Sequence, residues 1–199
     1  MKVIGITGRS GCGKSSVTRL FSEKGYPCID ADAVAREVLE PGSACIKQLQ
    51  NAFGSDIVDE SGNLCRHLLA DRAFATPEGT ARLTAITHPE ILHRIDAGLQ
   101  AAEQAGAKLA FVDGAVIVGT PFAARCDRLL VVAAPYEQSV ARICARDGIE
   151  PAMARRRLDA QTPEQTLRDA ADYVLENDGS VESLQEKALA LLHCLEQKV

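Results

Sequence analysis

The chain has 199 residues, of which 46% are hydrophobic, 25% charged and only 4% aromatic, with a net charge of −5. That length and apolar content suit one compact domain and exclude intrinsic disorder. The mild acidity argues against general nucleic-acid binding, which needs a basic face. No apolar run approaches the roughly 20 residues needed to cross a bilayer. The start, Met1-Lys2-Val3-Ile4-Gly5-Ile6, turns glycine-rich too soon for a signal peptide. Seven cysteines (12, 28, 45, 65, 126, 144 and 194) form no C-x-x-C pair. An odd, scattered set points to reduced thiols in a cytoplasmic protein. Of the four histidines (67, 88, 93 and 193), only His88 and His93 are close, and five residues apart they share no helical face, so no histidine metal site is expected.

In chain order, Lys2 to Thr7 reads as a short apolar strand running into glycines. Gly13 to Lys24 has helical spacing, with Val17, Leu20 and Phe21 on one face, and stops at Gly25. Tyr26 to Ile29 reads as a second strand, followed by a helix starting near Ala33. From Ala33 to Gly106 the strand signal disappears and helical stretches dominate, far longer than a connection of about 2–6 residues. This segment is expected to be an inserted helical subdomain. Leu109 to Val112 and Leu129 to Ala133 have the apolar, partly β-branched character of covered parallel strands, and Tyr173 to Leu175 is the fifth. Helices are expected over Pro135 to Arg146 and Glu182 to Gln197. Strands alternating with helices imply a doubly wound α/β sheet. An excursion from Asp147 to Arg168 carries Arg155, Arg156, Arg157 and Arg168, as a mobile helical lid would.

Gly8-Arg9-Ser10-Gly11-Cys12-Gly13-Lys14-Ser15 fits G-x-x-x-x-G-K-[ST] between a predicted strand and a predicted helix. Glycines let backbone N–H groups turn inward around a phosphate, with a helix N-terminus behind them. Gly8, Gly11, Cys12, Gly13, Lys14, Ser15 and Ser16 are therefore the expected ATP-binding cradle. Lys14 should reach the β- and γ-phosphates, and the Ser15 hydroxyl should ligate Mg²⁺. Asp113 closes its strand either as a Walker-B-type acid holding a magnesium-bound water or as a solvated strand-end aspartate. Asp30-Ala31-Asp32 follows the second strand; one acid can orient an acceptor hydroxyl while the other caps the next helix. Arg142 and Arg146 share one helical face, and Arg157 and Gln161 another, so these groups either clamp phosphate or lie on a solvated surface. The apolar stripe Leu184, Ala188, Leu191, Leu192 and Leu195 reads as core-facing.

With these residues in hand, the sequence resembles the dephospho-CoA kinase family over nearly its whole length. The ordered matches include Asp30-Ala31-Asp32, Glu40-Pro41-Gly42, Gly62-Asn63-Leu64 with Arg66, His88-Pro89, Ala145-Arg146-Asp147-Gly148, Arg157-Leu158-Asp159-Ala160-Gln161 and Ala171-Asp172-Tyr173-Val174 with Asn177-Asp178-Gly179. The resemblance implies a P-loop NTPase fold, a three-layer α/β/α arrangement around a five-stranded parallel sheet with a helical CoA-binding insertion and a helical lid. It implies a single domain with a core at about 1–32, 107–146 and 169–199, the insertion at about 33–106 and the lid at about 147–168. It further implies phosphorylation of the ribose 3′-hydroxyl of dephospho-CoA, with ATP as co-substrate and Mg²⁺ as cofactor. Asp32 becomes the acid nearest the acceptor hydroxyl, Lys14, Arg142 and Arg157 the charge stabilisers, and Arg66 and His88 part of the acceptor side. Small-molecule substrates, no nucleic acid, no membrane and a monomer or weak homo-oligomer are expected.

Two departures stand out. After Asp113 the family usually continues with a proline, paired leucines, a phenylalanine and a glutamate, whereas this chain reads Gly114-Ala115-Val116-Ile117-Val118-Gly119. Arg9 and Ser10 replace a glycine and an apolar residue common in the loop. Two other readings compete with this one: a different nucleotide or small-molecule kinase of the adenylate-kinase type, and a nucleotide-binding protein without catalysis.

Overall fold

The computed structural model describes residues 1–114, 117–197, with the side chain at 121 set aside. In chain order it runs β1 (Lys2–Thr7), α1 (Lys14–Glu23), β2 (Cys28–Asp30), α2 (Ala31–Glu37), α3 (Ala44–Phe53), α4 (Arg66–Ala73), α5 (Pro77–Gln104), β3 (Leu109–Asp113), β4 (Arg128–Ala133), α6 (Tyr136–Asp147), α7 (Pro151–Asp159), α8 (Glu164–Ala170), β5 (Tyr173–Glu176) and α9 (Val181–Glu196). The strands form one sheet in the order β2-β3-β1-β4-β5, every neighbouring pair parallel. The chain divides into two compact units, Met1–Asp30 with Leu99–Val199, and Ala31–Gly98.

In the first unit the sheet is buried on both faces, as parallel sheets require. Ile4, Ile6, Phe111, Leu130 and Val132 pack against Val17, Leu20 and Phe21 of α1 and against Leu184, Ala188, Leu192 and Leu195 of α9. The apolar spacing of both helices is the spacing of these contacts. Alternate strand residues, Val3, Val112 and Val131, are buried as well, and α8 packs on β4. α6 and α7 share their own cluster of Val140, Ile143, Ala154 and Leu158. Helix α9 starts at Val181 because the Ser180 side chain accepts from the Ser183 N–H at 3.2 Å.

The second unit is helical around Leu49, Ile57, Leu69 and Ala73. The chain is not wholly without extended pairing there: Val58 and Leu64 form an isolated antiparallel bridge. Its turn is closed by the Asp59 carboxylate, which accepts from the N–H groups of Ser61 at 2.9 Å and Asn63 at 2.8 Å. Asp56 and Arg72 form a bidentate ion pair at 2.6–2.7 Å that holds the Asp56 carboxyl below its ordinary value.

Some boundaries differ from the sequence expectation. β2 begins at Cys28, not Tyr26: Pro27 has no N–H, and its carbonyl instead accepts from the Phe111 N–H at 2.8 Å. Helix α2 starts at Ala31 rather than near Ala33, because Asp30 closes β2 and the helix begins at the next residue. The segment expected as a lid holds two helices, and the second runs on to Ala170. Of the departure after Asp113, Ala115 and Val116 lie outside the described residues, while Gly119 is exposed.

Candidate active site

The order of the strands fixes where a ligand can bind. β1 lies between β3 and β4, so the chain reverses its direction of travel across the sheet there, and a crevice opens beyond the carboxyl ends of these strands. The loop Gly8–Gly13 leaves β1 into this crevice and α1 begins at Lys14. Gly11 and Gly13 have φ of 76° and 96°, a region that costs L-residues with side chains. A Cβ on Gly11 would also lie 2.5 Å from the Ser139 carbonyl oxygen, and one on Gly13 would strike the Asn177 side chain. Glycine is required at both places on two counts.

The loop is braced from its carbonyl side. Asn177, only 5% exposed, donates from Nδ2 to the Cys12 carbonyl at 2.8 Å. Arg142 donates to the Gly11 carbonyl at 3.2 Å, to Asn177 Oδ1 at 3.3 Å and to Gln138 Oε1 at 3.2 Å. Two loop carbonyls, those of Gly11 and Cys12, are thus held by side-chain donors. Arg142, which the resemblance makes a charge stabiliser, is engaged here with the loop itself through the Gly11 carbonyl. Asn177 received no role from sequence reasoning, although it stands just beyond the carboxyl end of β5, where such a fold places functional groups. Replacing Asn177 by alanine should lower the melting temperature, corresponding to about 1–3 kcal/mol for a buried acceptor left unpaired. It should also weaken ATP binding severalfold in a calorimetric titration.

Lys14 ion-pairs with Asp113, and both side chains are largely buried. The pairing follows from the sheet register, since Asp113 lies beside Ile6 at the end of the neighbouring strand. Burial pushes the Asp113 carboxyl above its ordinary value; Lys14 opposes this without reversing it, and Asp30, in register with Asp113 across β2 and β3, adds to it. Asp113 is thus a buried acid facing a lysine, not a solvated strand end. The Ser15 hydroxyl-bearing side chain is on an exposed residue and Ser16 is half-buried. Cys12 is buried, and burial raises its thiol to about 11, so it packs as a small apolar group.

Arg146 and Arg157 meet at Asp147. It accepts from Arg146 at 2.7 Å and from Arg157 at 2.8 Å, and these pairings hold its carboxyl below the ordinary value, Arg146 contributing most. Gln161 meets the loop directly: its Oε1 accepts from the Ser10 N–H at 2.9 Å and its Nε2 donates to the Ser10 hydroxyl at 2.8 Å. In the helical unit, Asp32 lies in the first turn of α2, Arg66 is the exposed first residue of α4, and His88 is half-buried in α5 beside Pro89.

Comparison with known proteins shows what the whole chain is similar to. The dephospho-CoA kinase family model matches residues 2–183. A dephospho-CoA kinase of Corynebacterium efficiens is 40% identical over 95% of this chain and 94% of its own. A solved Thermus thermophilus structure superposes with a TM-score of 0.85 at 36% identity, over 97% of this chain and 96% of that one. The dephospho-CoA kinase of Campylobacter jejuni shares the fold, with a TM-score of 0.74 at 22% identity over 100% and 99% of the two chains. A glycine loop on a switch-point sheet, its lysine against a buried strand-end acid, thus stands in a chain that belongs to the dephospho-CoA kinase family.

Proposed function

We propose that the protein transfers the γ-phosphoryl group of ATP to the ribose 3′-hydroxyl of dephospho-CoA, giving coenzyme A and ADP, the last step of coenzyme A biosynthesis in the cytoplasm. The observation that carries this reading is the Lys14–Asp113 pair at the mouth of the braced glycine loop, in a chain whose family has this activity.

The loop N–H groups and the α1 N-terminus receive the β-phosphate, and Lys14 exchanges Asp113 for the phosphate oxygens. Ser15 and Asp113 are oxygen donors of the kind Mg²⁺ takes alongside substrate phosphates, and they would hold it. Mg²⁺, when bound, neutralises phosphate charge. Asp32 orients the acceptor hydroxyl and receives its proton as the new O–P bond forms and the bond to the ADP oxygen breaks. Arg157 exchanges Asp147 for the transferring group, while Arg66 and His88 bind the acceptor. Catalysis here is positioning and charge stabilisation.

The test is a coupled assay with ATP, Mg²⁺ and dephospho-CoA, with the product identified by mass. One phosphate added to the acceptor with stoichiometric ADP is the expected result. Binding of ATP without ADP release, or phosphorylation of a nucleoside monophosphate instead, overturns the assignment.

A further inference from the structure

Arg9 stands where the motif tolerates any residue and where this chain departs from its family, and the proposed reaction assigns it no task. Its guanidinium Nη2 donates to the Leu158 carbonyl at the end of α7. Its guanidinium carbon lies 5.7 Å from the centre of the Tyr136 ring, within reach of a cation–π contact. The Tyr136 hydroxyl in turn donates to Asp159 Oδ1 at 2.9 Å. The next loop residue, Ser10, is held twice by Gln161. Leu158, Asp159 and Gln161 are thus each tied to the phosphate loop or to the start of α6.

The Arg9 arrangement is built rather than incidental. Its Nε is buried without a hydrogen-bond partner, alone in this among the described side-chain atoms. Leu158 beside it is only 1% exposed. A freely moving surface arginine would place all its donors in water. Here one donor stays unmatched while the fork reaches a backbone carbonyl, as happens when the position of the guanidinium is set by its partner.

We propose that Arg9 is a positioning residue: with Ser10 it docks the carboxyl end of α7 onto the phosphate loop and so fixes Arg157, the residue next to Leu158, for phosphoryl transfer. The last part rests on the proposed kinase reaction; the docking does not. An arginine does this better than a lysine, since its planar fork stacks on Tyr136 while donating, but a lysine retains a donor for the Leu158 carbonyl.

The test separates the two parts. Limited trypsin digestion of the ligand-free protein reads the opening of the helix at Arg155, Arg156 and Arg157. Arg9→Ala should raise cleavage there about tenfold, because cleavage follows the population of the opened form. Gln161→Ala should raise it as well, and Arg9→Lys should fall between Arg9→Ala and wild type. In the kinase assay Arg9→Ala should lower kcat about tenfold while the Kd for ATP stays within about threefold. Wild-type cleavage in Arg9→Ala, or an Arg9→Lys protein no better than Arg9→Ala, overturns the proposal. Equal losses in kcat and ATP affinity would also overturn the positioning role. Faster cleavage in Arg9→Ala, together with a wild-type protein that turns nothing over, would refute the kinase reading and leave the docking standing.

Discussion

Lys14→Met should abolish nearly all turnover, by on the order of a thousandfold, and should at the same time make stability fall with rising pH more than it does in wild type. The first effect follows from losing the charge that the proposed reaction sets against the phosphate oxygens; one preorganised donor at a developing charge is worth about 10²–10³ in rate. Methionine keeps the apolar stem, so the loss isolates the charge. The second effect comes from Asp113, whose side chain is 11% exposed and loses its cation. Uncovering one member of a buried pair costs about 3–5 kcal/mol when the remaining charge cannot escape. A carboxylate can escape by taking a proton, so the expected loss is smaller and set by pH. Asp113 in the folded wild type is already raised from 3.8, chiefly by burial. A carboxyl raised on folding binds more protons folded than unfolded. Its stabilising contribution is complete below about 3.9 and is lost as pH rises through the folded value. Without Lys14 that folded value moves higher and the loss extends further towards neutrality. Thermal melts should therefore show a Lys14→Met protein close to wild type at pH 5 and clearly less stable at pH 8. Lys14→Met with Asp113→Asn should recover the stability at pH 8 and remain inactive. Equal melting at both pH values in the single variant would show that the pair does not govern Asp113.

How far the site was legible depends on how local each feature is. Gly8 to Ser15 is read directly because strand, glycine loop and helix are contiguous, and the structure starts α1 at Lys14. The five strands were visible because covered parallel strands are short apolar runs. The error at Tyr26 was an error of hydrogen bonding: Tyr26 is apolar enough for a strand and packs edge-on against Phe111, but Pro27 delays the ladder. The brace was beyond local reasoning. Asn177 and Cys12 are 165 positions apart, and Arg142 and Gly11 are 131 apart. Periodicity cannot say which face of α6 meets the loop when Arg142 and Arg146 share it. The structure sends Arg142 to Gly11 and Arg146 to Asp147. Asp147 was matched as part of Ala145-Arg146-Asp147-Gly148 but received no role, for a related reason. Its position before Gly148 does not show that it gathers Arg146 from its own helix and Arg157 from the next. Net charge gave no warning, because −5 is a sum over the whole chain and says nothing of where anions and cations face each other.

Asp32→Asn should lower kcat about 10²- to 10⁴-fold, the range for a group that handles a proton in the transition state, with ATP binding retained within about threefold. Position alone offers a competing account. Asp32 lies in the first turn of α2, where a negative charge stabilises a helix through its dipole. That interaction is worth about 0.3–1 kcal/mol, which is less than one decade in any equilibrium. Asparagine keeps the size and a hydrogen-bonding oxygen, so a helix-supporting Asp32 would show a small drop in melting temperature and a small, parallel change in kcat and KM. A group that orients the acceptor hydroxyl shows a different pattern: a large fall in kcat, little change in the melt, and an unaltered titration with a fluorescent ATP analogue. Magnitude therefore decides between them. The outcome that removes Asp32 from the chemistry is a kcat within about fivefold of wild type, since a dipole interaction of that size accounts for the whole of it.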